Sequence, residues 1–280
     1  AEQNMVNIAS GMALAGKKVI IYSISAFVTQ RCYEQIKVSL CSMVLPVVIV
    51  GIGPGLSYAA DGLSHHSTCD LAALGALPGI KILSPCDENG VRAALNEAWQ
   101  DANPVYIRLD KGAFPDLYTE QKLPSMTKVV DGNKVLIIAT GVLTHEAIKA
   151  AKLLDQQCIS TGVVDVFRIK PFDHEGLKKI ASGFDLVVSI EEHVGWGGLS
   201  AQISLSLSGT TVKHTALTVG ERQSLEYGNR SWNWKEYGID VASIVSYVKR
   251  EGMHLRIAGA TNGKVDEDLF CSIIGITREQ

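Results

Sequence analysis

No apolar run in the sequence is long enough to cross a bilayer. The longest, Met43 to Val50, is broken by Pro46 and stops far short of the roughly 20 residues that a spanning helix needs. It reads as a buried strand, and a membrane is not expected among the partners. A basic face or tail is also missing: Lys and Arg are spread along a chain of net charge -3, which argues against nucleic acid. The six cysteines include no Cys-x-x-Cys pair, and Cys32, Cys41, Cys69, Cys86, Cys158 and Cys271 sit mostly in apolar surroundings. They read as reduced core thiols of a cytoplasmic protein, and no Cys/His cluster offers this chain a metal site of its own. The glycines match neither G-x-G-x-x-G at a helix start nor G-x-x-x-x-G-K-[ST], so neither a dinucleotide nor a phosphate-loop nucleotide is indicated. Internal repeats and low-complexity tracts are absent too.

What remains is the composition of a compact soluble protein, 46% hydrophobic and 20% charged, long enough at 280 residues for two domains. Short β-branched apolar runs alternate with segments of helical period, the pattern of parallel sheets covered by helices. In the first half the expected strands are Val19–Tyr22, Pro46–Val50, Ile80–Leu83 and Val105–Leu109. The expected helices are Gln3–Ala15, Val28–Met43, Ser67–Leu77 and Glu88–Asp101, with Asp87 as the N-cap of the last. Periodicity lapses from Gly112 to Lys128, where Pro115 and Pro124 mark a connection. A second series follows: strands at Val135–Ala139, Gly162–Val166, Leu186–Ile190 and Val212–Val219, and helices at Thr144–Leu154, His174–Ala181, Leu199–Leu207 and Val241–Lys249. The fold class is α/β with two doubly wound domains, residues 1–112 and 129–280, joined by 113–128.

Several polar residues stand where such sheets place binding loops. Glu2 lies at a helix entrance, where a carboxylate is favoured by the helix dipole with or without a further role. Asp61-Gly62-Leu63-Ser64-His65-His66 follows a strand and the glycine-rich Gly51–Gly55, the place of a binding loop or of a plain turn. Arg108 ends a strand, and its fork suits either an ion pair or an anionic ligand. Glu191-Glu192-His193 leads through Gly195, Gly197 and Gly198 into a helix, an arrangement that serves anion binding or tight packing.

Taken in order, Glu2-Gln3-Asn4-Met5 before an Ala/Gly-rich helix, Asp61-Gly62-x-x-His65, Leu83-Ser84-Pro85-x-Asp87-Glu88-Asn89 and Ile107-Arg108 resemble the pyrimidine-binding domain of transketolases and deoxyxylulose-phosphate synthases. Val135 to Gly141, Val166-Phe167-x-Ile169-Lys170-Pro171-Phe172-Asp173 and Glu191-Glu192-His193-x-Gly195-x-Gly197-Gly198-Leu199 resemble the C-terminal domain of the same family. The resemblance implies thiamine diphosphate as cofactor, with Glu2 hydrogen-bonding a ring nitrogen of the aminopyrimidine. It implies Phe27 as the stacking ring, Tyr22 and Tyr33 as neighbouring alternatives, His65 as the group that moves protons at the sugar oxygens, Asp61 as a substrate contact and Arg108 as the ligand of a phosphate or other distal group. His66 would stand behind His65.

The family's diphosphate-binding domain, which holds Mg2+ and the diphosphate, has no counterpart in these motifs. The resemblance therefore implies a partner subunit that supplies it, in an α2β2 assembly with self-association, and a ketol transfer from a ketose, usually phosphorylated, to an aldose. Family members place a strand and a helix before the Glu2 motif, so the first domain is expected to lack its start. Ile52-Gly53 stands where sugar-phosphate transketolases carry a Thr-His pair, which puts the usual substrate in doubt. A deoxyxylulose-phosphate synthase, a 2-oxoacid dehydrogenase beta subunit or a non-catalytic scaffold are the alternatives.

Overall fold

In the computed structural model of the protein, residues 1–120, 122–221, 225–226 and 228–260 are described, 252–260 by their backbone; Cys271 lies outside them. The first half contains helix α1 (Glu2–Leu14), strand β1 (Val19–Ile24), the single turn α2 (Tyr33–Gln35), β2 (Val47–Ile52), α3 (Asp70–Gly75), β3 (Lys81–Leu83), α4 (Glu88–Gln100) and β4 (Val105–Leu109). The second contains β5 (Met126–Val130), β6 (Val135–Ala139), α5 (Leu143–Asp155), β7 (Thr161–Val166), β8 (Arg168–Lys170), α6 (His174–Ala181), β9 (Leu186–Ile190), α7 (Leu199–Leu207), β10 (Lys213–Leu217), α8 (Arg230–Tyr237) and α9 (Val241–Ala260). Two five-stranded sheets result, in the orders β1-β2-β4-β3-β8 and β10-β9-β6-β7-β5. Within each sheet the inner strands run parallel, and β2, β6, β7 and β9 are buried on both faces because helices cover both sides.

The two halves share more than a connection. Strand β8, from the second half, closes the edge of the first sheet by pairing antiparallel with β3. Its Arg168 forks onto Glu97 (3.1 and 2.8 Å), which also takes Lys81 at 2.8 Å. With one apolar residue in three, β8 gave no period for sequence reading to find. The edge strand β5 begins at Met126, inside the stretch expected to be a connection up to Lys128, and pairs antiparallel with β7. The connection itself is pinned by Asp87, which caps α4 through Gly90 N–H at 2.6 Å and accepts from Leu117 N–H and Tyr118 N–H at 2.6 and 2.9 Å.

Two expected helices need correction. In place of one α-helix over Val28–Met43, wide π-type turns at Phe27–Arg31 and Ile36–Cys41 flank α2. Hydroxyls add to the backbone bonding here: Thr29 Oγ1 donates to Ser25 O at 2.7 Å, and Ser42 Oγ donates at 2.9 Å to Lys37 O, which also accepts from Ser42 N–H at 3.0 Å. The helix expected from Ser67 starts only at Asp70, because Ser67 forms a two-way backbone bridge with Gly55 (3.0 and 2.9 Å). In α1 the buried side is Val6, Ala9, Ser10 and Ala13, so Ile8 and Met12, read as part of the apolar stripe, face outward with Leu14.

At the junction of the halves Asp165 of β7 is fully buried, accepting from Thr144 Oγ1 at 2.6 Å and Tyr118 Oη at 2.7 Å, with Cys86 Sγ at 3.6 Å. Burial pushes its carboxyl up to about 6, although these donors oppose the shift. An unfolded aspartate titrates near 3.9, so between about 4 and 6 the folded state binds more protons and stability falls as pH rises, by roughly 2–3 kcal/mol in all. Asp165→Asn should flatten that fall. Urea unfolding at pH 4.5 and pH 7.5 checks it, and a slope equal to wild type's would clear Asp165 of the effect.

Candidate functional site

The carboxyl end of β1, the wide turn after it and the loop after β2 converge on one group of side chains. Glu2, in the first turn of α1, accepts from Ser23 Oγ (3.4 Å) at Oε1 and from Arg31 Nη1 (3.0 Å) at Oε2. Its side chain is about one-fifth exposed. The backbone N–H of Glu2 itself, and then Arg31, hold the carboxyl below the usual glutamate value in spite of partial burial. Arg31 also lies over the ring of Phe27, with its guanidinium carbon 4.4 Å from the centroid. Phe27 and His65 tilt against each other at 5.0 Å, and Tyr58 reaches His65 at 5.8 Å. The ammonium of Lys111 sits 3.8 Å above Tyr58. Burial raises the Tyr58 phenol, with Tyr22 and Asp61 adding to the shift.

The loop that carries His65 is held from beneath. Its short helical turn, Ala59–Asp61, ends in Gly62 at φ 73, and the 55–67 bridge closes the loop at its base. Gly55, at φ +60, lies where an added Cβ would meet Glu192 Oε2 at 2.5 Å, so the glycine-rich stretch is a packing turn against the second half. Ser64 Oγ stands 3.0 Å from His65 Nδ1, while His66 is buried and bonds Ala59 O at 3.3 Å.

Glu2, Phe27 and His65 are therefore brought to one place, Asp61 lies on the loop that carries His65, and three other residues lie elsewhere. Tyr22 is exposed on the outer face of β1. Tyr33, two residues beyond Arg31, packs instead against the core beside α1. Arg108 is buried at 5% exposure: its Nε and Nη2 donate to Asp70 at 2.8 and 3.3 Å, and Nη2 donates again to Glu192 O at 3.4 Å. Asp70 also accepts from Tyr106 Oη at 2.9 Å, and Tyr106 in turn meets Ser25 and, through it, Ser67, each at 2.8 Å. Nε and Nη2 are taken by this buried line, through which Arg108 braces the floor of the site; Nη1 makes none of these bonds, and Arg108 lines a small cavity with Pro54, Ser84 and Asp110. Ser23, Arg31, Tyr58 and Lys111 were missed because no motif marks them; Arg31, an i+4 neighbour of Phe27, was the one within reach of helical spacing.

The glycine-rich entrance to α7 holds its own anion. Glu191, fully buried, accepts from Leu199 N–H at 2.7 Å, Ser200 N–H at 2.9 Å and Ser200 Oγ at 2.5 Å, satisfying the donors an external ligand would need. Glu192 pairs with Arg230, which forks onto Asp110 at 2.7 and 2.7 Å. His193 Nδ1 sits 2.7 Å from Val194 O, and its Nε2 accepts from Ala72 N–H at 3.3 Å. This segment ties the halves together. Among the described residues no cluster of three His, Cys, Asp or Glu is arranged to hold a metal, and no helix is long and apolar enough to cross a membrane.

Two family models divide the chain between them. Residues 1–116 match "Transketolase, pyrimidine binding domain" and residues 125–244 match "Transketolase, C-terminal domain". Over 248 residues the chain is 34% identical to one of the subunits of apulose-4-phosphate transketolase from Phocaeicola vulgatus, covering 87% of this chain and 79% of that one. A solved structure described as a split gene transketolase, inactive beta4 tetramer, is 30% identical with a TM-score of 0.80, covering 89% of this chain and 81% of that one. Transketolase of Pichia stipitis in complex with sedoheptulose-7-phosphate shares the fold, at 20% identity and a TM-score of 0.75, with 89% of this chain spanning 36% of that one.

Proposed function

Because this chain belongs to the transketolase family, with the pyrimidine-binding domain followed by the C-terminal domain, we propose that it is the small subunit of a split transketolase. In that reading it transfers a two-carbon ketol unit from a ketose, usually phosphorylated, to an aldose, together with a partner subunit that holds Mg2+ and the diphosphate. The observation that carries it is the meeting of Glu2, Phe27 and His65 from three separate segments. The residues fit an aminopyrimidine: a carboxylate faces the same space as an aromatic ring, and one planar N–H donor, the Arg31 guanidinium, already contacts both.

When bound, thiamine diphosphate supplies the carbanion chemistry. Glu2 shares a proton with a pyrimidine nitrogen, Phe27 supports the ring, and His65, held by Ser64 and flanked by Tyr58, moves protons at the sugar oxygens. Asp61 orients the sugar. Arg108, through Nη1, and Lys111, over Tyr58, are the cations for a distal phosphate. The outward Ile8, Met12 and Leu14 of α1 offer an apolar face for self-association in an α2β2 assembly. Free thiols at Cys32, Cys41, Cys69, Cys86 and Cys158 suit the cytoplasm.

Isothermal titration of thiamine diphosphate with Mg2+ tests the reading, first into this chain alone and then into the chain mixed with its co-purifying partner. Binding is expected in the mixture only. Tight binding to the lone chain removes the shared site, and no binding in a verified complex leaves the scaffold.

A further inference from the structure

The guanidinium of Arg31 makes two contacts at once. It donates to Glu2 Oε2 at 3.0 Å and lies 4.4 Å from the centre of the Phe27 ring. A flat group that donates N–H to a carboxylate while covering an aromatic ring reproduces both contacts assigned above to the aminopyrimidine. An aminopyrimidine that takes the same face of Phe27 and the same Glu2 oxygen competes with the guanidinium for that space.

We propose that Arg31 is an internal stand-in for the aminopyrimidine, holding Glu2 and covering Phe27 until the cofactor displaces it. The inference rests on the cofactor reading above. Arg31 is built to leave: its side chain is 52% exposed, so its ion pair with Glu2 is screened and cheap to break. Its backbone is built to stay, since Arg31 O accepts from Gln3 Nε2 at 3.1 Å and ties the wide turn to α1. Only the side chain has to swing. The charged and titratable groups around it are Glu2 on α1 and Cys32 next in the chain, with His65 on the far side of Phe27's contacts. Arg31, after the backbone N–H of Glu2 itself, adds to the hold on the Glu2 carboxylate, and its departure frees the Oε2 edge for the cofactor.

A stand-in taxes affinity, because the cofactor binds only the fraction of molecules whose site is open. In the complex with the diphosphate-binding subunit, Arg31→Met should lower the Kd of thiamine diphosphate about tenfold, the gain from removing a competitor that leads open states by roughly that ratio. Arg31→Lys, which keeps the charge and loses the flat donor edge, should fall between. An unchanged or higher Kd in Arg31→Met overturns the proposal, since an arginine that helps to hold cofactor or substrate gives that result. If wild-type complex fails to bind, the cofactor reading falls and this one with it; if wild type binds and the variants do not differ from it, Arg31 alone is misassigned. On the lone chain, with folding checked by thermal melting, Arg31→Met should raise the Glu2 carboxyl pKa followed by NMR. A Glu2 titration that does not move upward also overturns the proposal.

Discussion

A complex carrying Glu2→Gln should fold, assemble and bind thiamine diphosphate, yet turn over about 10²–10⁴-fold more slowly than wild type, the usual share of a positioned acid–base group. The side chain is not a structural one. It touches Ser23 and Arg31 at the edge of the site, and losing a partly exposed ion pair costs at most about 1 kcal/mol. Glutamine keeps the shape and a hydrogen bond and loses only the proton that the carboxyl shares. The decisive measurement is kcat with saturating cofactor, beside circular dichroism and a thermal melt of the same preparation. Wild-type turnover sinks the assignment of Glu2. A loss of cofactor affinity with kcat intact moves Glu2 from proton transfer to binding.

The parts of the fold that were legible share a physical cause. Parallel strands buried on both faces are rich in apolar residues, so Val135–Ala139, and Val105–Leu109 and Leu186–Ile190 despite Arg108 and Ser189, stand out as runs and were placed to the residue. Helices with a small-residue or capped start, such as α4 behind Asp87, were nearly as plain. Edge strands escape this logic. Strand β5 is half exposed, and β8 is held by Arg168 and Lys170 more than by its one buried isoleucine. The wide turns of 27–41 hide behind an ordinary helical period, since a sequence shows the spacing of apolar residues and not which carbonyl each N–H reaches. At the site, Glu2 and Phe27 share Arg31, and Phe27 meets His65. The residues between them were not legible, because Arg31 and Tyr58 matter through where the chain turns. Arg108 was ambiguous because a strand-end arginine reads the same whether its partner is a ligand, Asp70 or both, and Asp70 lies 38 residues earlier in the chain where no spacing rule connects the two.

That ambiguity yields the largest effect on stability. Arg108→Met should destabilise the chain by about 3–5 kcal/mol, because it strands the Asp70 carboxylate, 0% exposed, with a single phenol donor from Tyr106. The Ser25, Ser67 and Tyr106 hydroxyls depend on the same carboxylate for their order, so the floor beneath Phe27 and His65 should loosen with it. Removing both charges in Asp70→Leu with Arg108→Met leaves no orphaned ion, and the double variant should recover much of the loss, as buried pairs replaced by apolar residues do. Urea unfolding of wild type, both single variants and the double variant closes the cycle. An arginine that only binds phosphate predicts wild-type stability in Arg108→Met, a raised KM for phosphorylated sugars, and no rescue from the second substitution. Lys111→Ala supplies the matching arm, because a cation at the mouth of the site should raise KM while leaving the unfolding midpoint where it was. The two variants together separate an arginine that also holds the protein from a lysine that only meets the substrate.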